Sequence, residues 1–167
     1  MNKIPLALPP LSNALNILST DLFEEGIRLS RTSPRKRIIL PIHKSADASM
    51  HRMLNFIQPG SYIRPHNHSL SNKTESVIVL QGTIQFFTFD EKGKVLTSTL
   101  IGGDSKNFGV DIEPTVNHAF FAIQPDTIIF ETKPGPYEKA TDKLFAEWAP
   151  EDGTEEAAVF MQSLLEA

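Results

Sequence analysis

The sequence predicts an all-β domain, an antiparallel sandwich or barrel, with helices at its two ends. Between residues 37 and 132, short runs rich in β-branched and aromatic residues alternate with turn clusters such as 58–60 and 102–104. This regular spacing is typical of antiparallel β folds. Apolar residues recur at helical spacing in residues 11–30, and residues 153–167 read as a terminal helix. With 167 residues, 40% of them hydrophobic, the chain is long enough to bury a sizeable core as one domain.

Residues 1–34 form the predicted N-terminal helical segment. Ser19, Thr20 and Asp21 are residue types that cap helices, so we expect one or two short helices over residues 11–30. Three prolines interrupt the first ten residues, which argues against a signal peptide. The sequence has no uninterrupted apolar run of the roughly 20 residues that a membrane helix needs. We therefore expect a cytoplasmic protein with no membrane partner.

Residues 35–150 form the predicted barrel, and residues 151–167 contain the predicted C-terminal helix. The barrel segment begins near "RIILPIH" and its last clear strand is "TIIFET", at residues 127–132. The final helix starts with acidic residues, which interact favourably with a helix N-terminus. The three segments together make a single domain.

Charge and composition exclude several functions. A formal net charge of −4 provides no basic field for nucleic acid, so no nucleic-acid partner is expected. The chain has no cysteine, which excludes disulfides, thiolate metal sites and cysteine nucleophiles. A metal bound here must use nitrogen and oxygen ligands.

Charge is also unevenly distributed along the chain. Between Arg28 and Lys44 there are basic residues and no acid, whereas six acids and no basic residue follow Lys143. Both segments are ordinary solvated surface in the simpler interpretation. The alternatives are an anion site or a head-to-tail contact between two copies.

Three histidines and a glutamate form the candidate metal site. On a strand, His66 and His68 project from the same face, as two ligands of one ion must. Glu75 opens the next predicted strand and returns beside them if the two strands pair as a hairpin. A third imidazole can come from His118, in a strand whose other side chains on that face are apolar. Such a donor set suits iron(II), nickel, manganese, cobalt or zinc, with positions left open for water or substrate.

These residues also have simpler interpretations. His66 and His68 are harmless if their face is exposed to solvent, whereas two unpartnered interior imidazoles would be costly. Glu75 is then a carboxylate at a surface strand edge. The remaining histidines, His43 and His51, are taken as partial-core or surface residues rather than ligands.

Strand alternation extends the candidate site to two further residues. Tyr62 and Arg64 have the same parity as His66 and His68, so we expect both to face the metal. Arg64 offers a forked cation for a carboxylate or phosphate, and Tyr62 a hydroxyl that can relay a proton. The alternative for Arg64 is a barrel-mouth residue paired with an acid.

The motifs resemble those of the cupins. Gly60, His66, His68, Glu75 and Gly82 resemble the first cupin motif, and "GVDIEPTVNH", ending at His118, resembles the second. The six residues between His68 and Glu75 exceed the usual cupin gap. The stretches "RMLNFIQPGSYIRPHNH", "FETKPGPY" and "FAEWAPEDG" extend the likeness to the WbuC-type cupin-fold metalloproteins, over nearly all of residues 35–153.

The resemblance implies a double-stranded β-helix, or jelly-roll barrel, with His66, His68, Glu75 and His118 as ligands of one divalent metal, namely iron, nickel, manganese or zinc. It also implies a homodimer and an association with polysaccharide gene clusters. We expect an oxygenase or isomerase acting on a small oxygen-rich molecule, such as a sugar derivative or a hydroxy or keto acid. Two alternatives stay open: a non-catalytic module that binds a small molecule through its metal, and a metal-free sugar-nucleotide epimerase-like cupin. In the latter, His66 or His68 is the base and Tyr62 the acid.

Overall fold

Two five-stranded antiparallel sheets pack face to face in the computed structural model, which describes residues 5–166. Sheet A contains, in spatial order, β1 (Arg37–Pro41), β2 (Met50–Ile57), β9 (Thr127–Pro134), β4 (Glu75–Gln81) and β7 (Gly109–Ile112). Sheet B contains β10 (Leu144–Phe145), β3 (His66–Asn67), β8 (Asn117–Ala122), β5 (Thr83–Phe89) and β6 (Val95–Gly102). Most neighbours in space are not neighbours in sequence, as in a jelly roll. The predicted all-β fold is therefore confirmed.

Strand alternation divides the apolar residues among three cores. On β8, Phe120 and Ala122 point between the sheets, where they pack with residues such as Ile84. Ala119 and Phe121 point the other way, toward the outer face of sheet B. Sheet A also has a buried outer face, since Leu54 belongs to a separate cluster. Each sheet is thus covered on both sides over much of its area.

Helix α1 (Thr20–Thr32) covers the outer face of sheet A. The Ser19 hydroxyl accepts a hydrogen bond from the backbone N–H of Leu22, which caps the helix as its residue type predicts. Gly26 lies directly against the ring of Phe56 on β2, where a Cβ would overlap the ring. A glycine at this position therefore allows α1 to approach the sheet closely.

Within residues 5–34, α1 is the only helix. Residues 11–18, where the apolar spacing also predicted helix, are irregular. The preceding chain runs beside β1 and bonds to its edge, with the Leu8 N–H donating to the Ile39 carbonyl over 2.7 Å. Leu15 and Ile17 remain exposed, so these residues gain no packing against the rest of the protein that would stabilise a helix there.

Helix α2 (Glu155–Glu166) covers the outer face of sheet B through Ala157, Met161 and Leu164. The Thr154 hydroxyl accepts from the backbone N–H of Ala157 over 3.2 Å. Glu155 occupies the first turn, where negative charge is favourable. No helix within residues 5–166 has the length and apolar character needed to cross a bilayer. The expected segments 1–34 and 151–167 include residues 1–4 and 167, which lie outside the described residues.

Candidate metal centre

Four side chains converge between the two sheets. His66 lies on β3, His68 follows that strand directly, His118 lies on β8, and Glu75 is the first residue of β4. One donor atom from each residue lies within 4.8 Å of the others. All four side chains are buried, with at most 3% of their surface exposed. The structure thus brings together the four residues that the sequence selected.

Sheet pairing accounts for this convergence, but not through the expected hairpin. His66 pairs with His118 across β3 and β8, which sets the two imidazole rings 4.6 Å apart. Glu75, in contrast, starts a strand of sheet A, where it pairs with β7. The prediction of a β3–β4 hairpin is therefore wrong. Residues 69–74 instead cross from one sheet to the other, and Glu75 reaches the histidines across the interior.

Each histidine is oriented by a backbone carbonyl. Nδ1 of His66 contacts the Arg64 carbonyl at 2.9 Å, and Nδ1 of His118 contacts the Val116 carbonyl at 2.9 Å. Nδ1 of His68 contacts the Asp142 carbonyl at 2.6 Å. A carbonyl oxygen only accepts hydrogen bonds, so each Nδ1 must carry the proton. In a neutral ring this leaves the Nε2 lone pair free toward the centre.

When the rings are neutral, the lone pairs of His68 and His118 face the Glu75 carboxylate with no proton between them. Nε2 of His68 lies 3.3 Å and Nε2 of His118 3.2 Å from the same Glu75 oxygen, Oε2. Two acceptors at this distance repel each other unless a cation lies between them. Nε2 of His66 is also buried and finds no hydrogen-bond partner among residues 5–166. The donor set therefore fits a divalent transition metal, which would satisfy all four atoms at once.

Burial helps to keep the His66 imidazole neutral. It lowers the pKa of His66 well below its usual value, and the nearby positive charge of Lys143 acts in the same direction. Metal binding requires unprotonated imidazoles, because a proton on Nε2 occupies the same lone pair. His66 is therefore ready to bind a metal at neutral pH.

The centre opens into a cavity of about 600 Å³ between the sheets. Its wall includes His66 and Glu75 of the centre, together with polar residues on β2 and β9 and on the chain before β10. On the other side of the centre the interior is apolar, with Phe86 stacked on His118 at 5.9 Å. A small molecule can thus reach the donor cluster from the cavity side.

Buried charges form a network in the wall. Lys133 donates to Asp142 over 2.9 Å and lies 3.8 Å from Glu131. Burial, together with the negative charge of Glu75, raises the pKa of Glu131 to about 8. Asn55 donates to this carboxyl over 2.9 Å. At neutral pH Glu131 is therefore protonated, and the Lys133–Asp142 pair is neutral as a unit.

Strand alternation assigned Arg64 and Tyr62 to the site, but only Arg64 lines the cavity. Arg64 lines the cavity, as expected, but its guanidinium already donates to the Ala146 carbonyl over 2.8 and 3.2 Å. Tyr62 lies on the far side of sheet B, stacked on Phe121, and its hydroxyl donates to the Pro150 carbonyl over 3.0 Å. The expectation that Tyr62 faces the metal is therefore wrong.

Tyr62 points away from the metal because the backbone of residues 61–65, just before β3, is irregular. Side chains alternate between faces only along an extended strand, and β3 begins at His66. Counting alternate residues backward from His66 therefore does not predict which way the side chains of Tyr62 and Arg64 point. Burial also raises the pKa of Tyr62 above its ordinary value, farther from the range useful for proton transfer near neutrality.

The two histidines left out of the ligand set are stacked on each other. The rings of His43 and His51 are 4.1 Å apart and nearly parallel, and both line the cavity. Nδ1 of His43 and Nε2 of His51 contact backbone carbonyls at 2.9 and 3.0 Å. They therefore form part of the wall rather than part of the donor cluster.

The basic stretch and the acidic tail meet beside the cavity. Arg37 pairs with Asp152 over 2.9 Å and also donates to the Tyr62 carbonyl over 2.6 Å. Arg35 and Arg37 both line the cavity. Part of the basic stretch is therefore cavity wall, and the opposite charges of the two segments meet there.

Sequence reasoning missed the charged residues of the wall. Glu131 and Lys133 share one face of β9 and alternate with Phe130 and Thr132. Two charged residues that are two positions apart, and so point to the same face, follow an apolar run in this strand. This pattern could have identified them from the sequence as residues of a buried polar wall. Lys143 carries no such signal, because only the folding of the chain before β10 brings it to the cavity.

Comparisons with known proteins support the fold. A family model described as "Domain of unknown function (DUF6016)" matches residues 18–101. No curated protein matches the chain. Among solved structures, the capsular polysaccharide assembling protein CapF from Staphylococcus aureus is similar, with a TM-score of 0.53 and 19% identity over 65% of this chain. An oxalate oxidase in complex with the substrate analogue glycolate has a TM-score of 0.51 and 13% identity over 68% of this chain.

These structural neighbours are cupin-fold proteins, and likeness at such low identity shows the fold alone. The chain spans 29% of the length of the CapF chain and 57% of that of the oxalate oxidase chain. The cupin resemblance of the sequence is thereby confirmed at the level of fold, and a buried cluster of three histidines and one glutamate accompanies it.

Proposed function

The chain belongs to the DUF6016 family, whose description assigns no activity, and we propose that it is a cupin metalloenzyme acting on a small oxygen-rich molecule. The observation that carries this proposal is the set of three Nε2 lone pairs and one carboxylate oxygen that converge at the inner end of a cavity. The ligands are His66, His68, Glu75 and His118, and they bind one divalent transition metal. The oxygenase and isomerase alternatives share this site.

A divalent ion held by these donors supplies Lewis acidity toward a substrate oxygen. The chain itself performs the other tasks. The carbonyls of Arg64, Val116 and Asp142 fix the three imidazole orientations. The apolar residues around Phe86, which stacks on His118, exclude water on that side of the centre, which strengthens electrostatic interactions there. The cavity holds the substrate in front of it.

The finer family assignment is also a proposal. The stretches at residues 52–68, 130–137 and 145–153 resemble WbuC-type proteins, and they contribute respectively the metal-site histidines, part of the cavity wall and the end of the barrel. The structural likeness to a capsular polysaccharide assembling protein is compatible with a substrate from polysaccharide metabolism. We propose a sugar derivative or a hydroxy or keto acid.

Elemental analysis of the protein purified without a histidine tag tests the metal. We expect about one equivalent of iron, nickel, manganese or zinc per chain. The double variant His66→Ala, His68→Ala should lose it. The matched control is His43→Ala, His51→Ala, which removes the other histidine pair of the same cavity and should retain the metal. No metal in the unmodified protein, even after reconstitution, would contradict the proposal.

Turnover then separates an enzyme from a binding module. The metal-loaded protein is incubated with a panel of sugar acids, with and without dioxygen, and products are detected by mass spectrometry. Product that is absent with the His66→Ala, His68→Ala variant supports an enzyme. Tight binding without product across the panel indicates the non-catalytic module instead.

A further inference from the structure

Lys143 is a cation at the cavity wall, and the described part of the chain provides no carboxylate partner for it. It follows Asp142 directly and lines the cavity together with His66. Its side chain is partly buried. Within residues 5–166, no carboxylate oxygen lies within 4.0 Å of its ammonium group, and no side-chain hydrogen bond engages it. An enclosed ammonium group without a partner is unfavourable.

The other cations near the centre are already engaged. The Lys133 ammonium pairs with Asp142 over 2.9 Å, in a buried contact. The Arg64 guanidinium donates to the Ala146 carbonyl and lies 4.0 Å from Glu151. Neither is free to bind a ligand without breaking a contact within the protein. Lys143 therefore differs from Lys133 and Arg64, because a ligand can bind its ammonium group without first breaking a contact within the protein.

Lys143 also lies near the donor cluster. Its charge acts on His66 and Glu131, and the charges of Glu75 and Lys133 act on it. Burial and the positive charge of Lys133 lower the pKa of Lys143. An anion bound beside this ammonium group would offset the unfavourable effects of burial and of the nearby Lys133 charge.

We propose that Lys143 anchors the anionic group of the substrate, so that the cavity binds a small hydroxylated carboxylate or phosphate rather than a neutral sugar. The anchor lies on the cavity wall beside His66, and the donor cluster faces an oxygen elsewhere on the same molecule. Lys143 takes the anchoring role that sequence parity assigned to Arg64. The inference deepens the proposed function, because it names the substrate class of the same site.

The charge balance of the site supports an anionic ligand. A divalent ion contributes two positive charges and Lys143 one, whereas Glu75 contributes one negative charge. Glu131 contributes at most one further negative charge, and the paired Lys133 and Asp142 add no net charge. The surplus is positive even with Glu131 ionised, so it favours an anion.

Calorimetric titration with three related probes tests the inference. Glycerate carries a carboxylate, glycerol 3-phosphate carries a phosphate, and glycerol offers hydroxyl groups alone. Each probe is titrated into the metal-loaded and the metal-stripped protein. We expect one or both anions to bind more tightly than glycerol, and the preferred anion identifies the group that the anchor accepts.

Substitutions then assign the preference to one residue. Lys143→Met should weaken binding of the preferred anion about 10- to 100-fold, because one charge-assisted contact is lost. Metal content and glycerol binding should not change. Lys143→Arg should retain most of the affinity. The control Lys139→Met, which removes an exposed lysine of the same chain segment, should behave like the unmodified protein.

The inference fails if glycerol binds as tightly as both anions, if Lys143→Met leaves anion affinity unchanged, or if no probe binds. It also fails if Arg64→Met abolishes anion binding while Lys143→Met does not. A protein that binds no metal but shows anion binding dependent on Lys143 refutes the proposed function and supports the anchor. The two ideas are therefore tested separately.

Discussion

Nε2 of His118 lies 3.2 Å from Oε2 of Glu75, although His118 belongs to sheet B and Glu75 to sheet A. The Nδ1 proton of His118 is held by the Val116 carbonyl, so in the neutral ring both atoms of this contact present lone pairs. The two sheets therefore meet at a point of electrostatic repulsion, which a cation would turn into attraction.

The variant Glu75→Gln should have opposite effects on the two forms of the protein. Its amide can donate to a histidine Nε2, so the metal-free protein should be at least as stable as the unmodified one. Metal affinity should fall by at least about tenfold, because a neutral amide replaces a carboxylate. Competition with a chromogenic chelator measures the affinity, and thermal denaturation measures the stability. Unchanged affinity would remove Glu75 from the ligand set.

Glu131 should give the metal-free protein a distinctive pH dependence. Its pKa is raised to about 8 by burial and by the charge of Glu75, whereas in the unfolded chain it returns to its ordinary value near 4.5. The folded state thus binds one proton more than the unfolded state between about pH 5 and 8, and its stability falls with rising pH over that range. Above about pH 8 this effect levels off.

The comparison with Glu131→Gln isolates the effect. Glutamine keeps a donor toward Glu75 and an acceptor for Asn55 but does not titrate. The free energy of unfolding of the variant minus that of the unmodified protein should therefore increase between about pH 5 and 8, on the order of a few kcal/mol in total. Urea denaturation of chelator-treated protein at each pH measures it. A difference that does not vary with pH would mean that Glu131 is ionised in the folded protein.

Lys133→Met should destabilise the protein strongly. The substitution leaves the buried carboxylate of Asp142 without its partner, which costs about 3–5 kcal/mol for a buried pair. Because the carbonyl of Asp142 orients His68, metal affinity should fall as well. The double variant Lys133→Met, Asp142→Asn should recover part of the stability. As a control, Arg28→Ala breaks an exposed pair on α1 and should have no measurable effect.

Tyr62→Phe should leave metal content and ligand binding unchanged. The hydroxyl of Tyr62 donates to the Pro150 carbonyl beneath α2, remote from the donor cluster. Its loss should cost about 1 kcal/mol of stability. Denaturation and elemental analysis, carried out on the same sample, separate the two effects. Loss of metal in this variant would restore Tyr62 to the site.

Sequence patterns predicted what depends on regular local structure. His118 lies on a regular six-residue strand, so alternation correctly directed it and Phe120 to the interior. The same rule failed at Tyr62, because the chain from 61 to 65 is irregular. The cupin motifs selected the four donors, since they record residue types and spacing directly.

Long-range pairing explains the remaining differences. Nothing local in residues 69–74 indicates that they cross between sheets rather than turn back as a hairpin. The roles of Lys133 and Lys143 depend on the fold, which places the chain before β10 across from β9. Local sequence patterns cannot predict such contacts, because the partners lie far apart in the sequence and only the overall topology brings them together.

The Asp142–Lys143 dipeptide has a consequence for how the family can diversify. The carbonyl of Asp142 orients a metal-site histidine, and the next side chain lines the cavity. A change in the backbone path of this dipeptide would move both the carbonyl that orients His68 and the lysine in the cavity, so selection must satisfy two demands with one peptide segment. Other wall residues, such as Ile39 and Met53, bear no such double constraint. New specificities should therefore evolve there first, as gradual changes in cavity shape around an unaltered anchor.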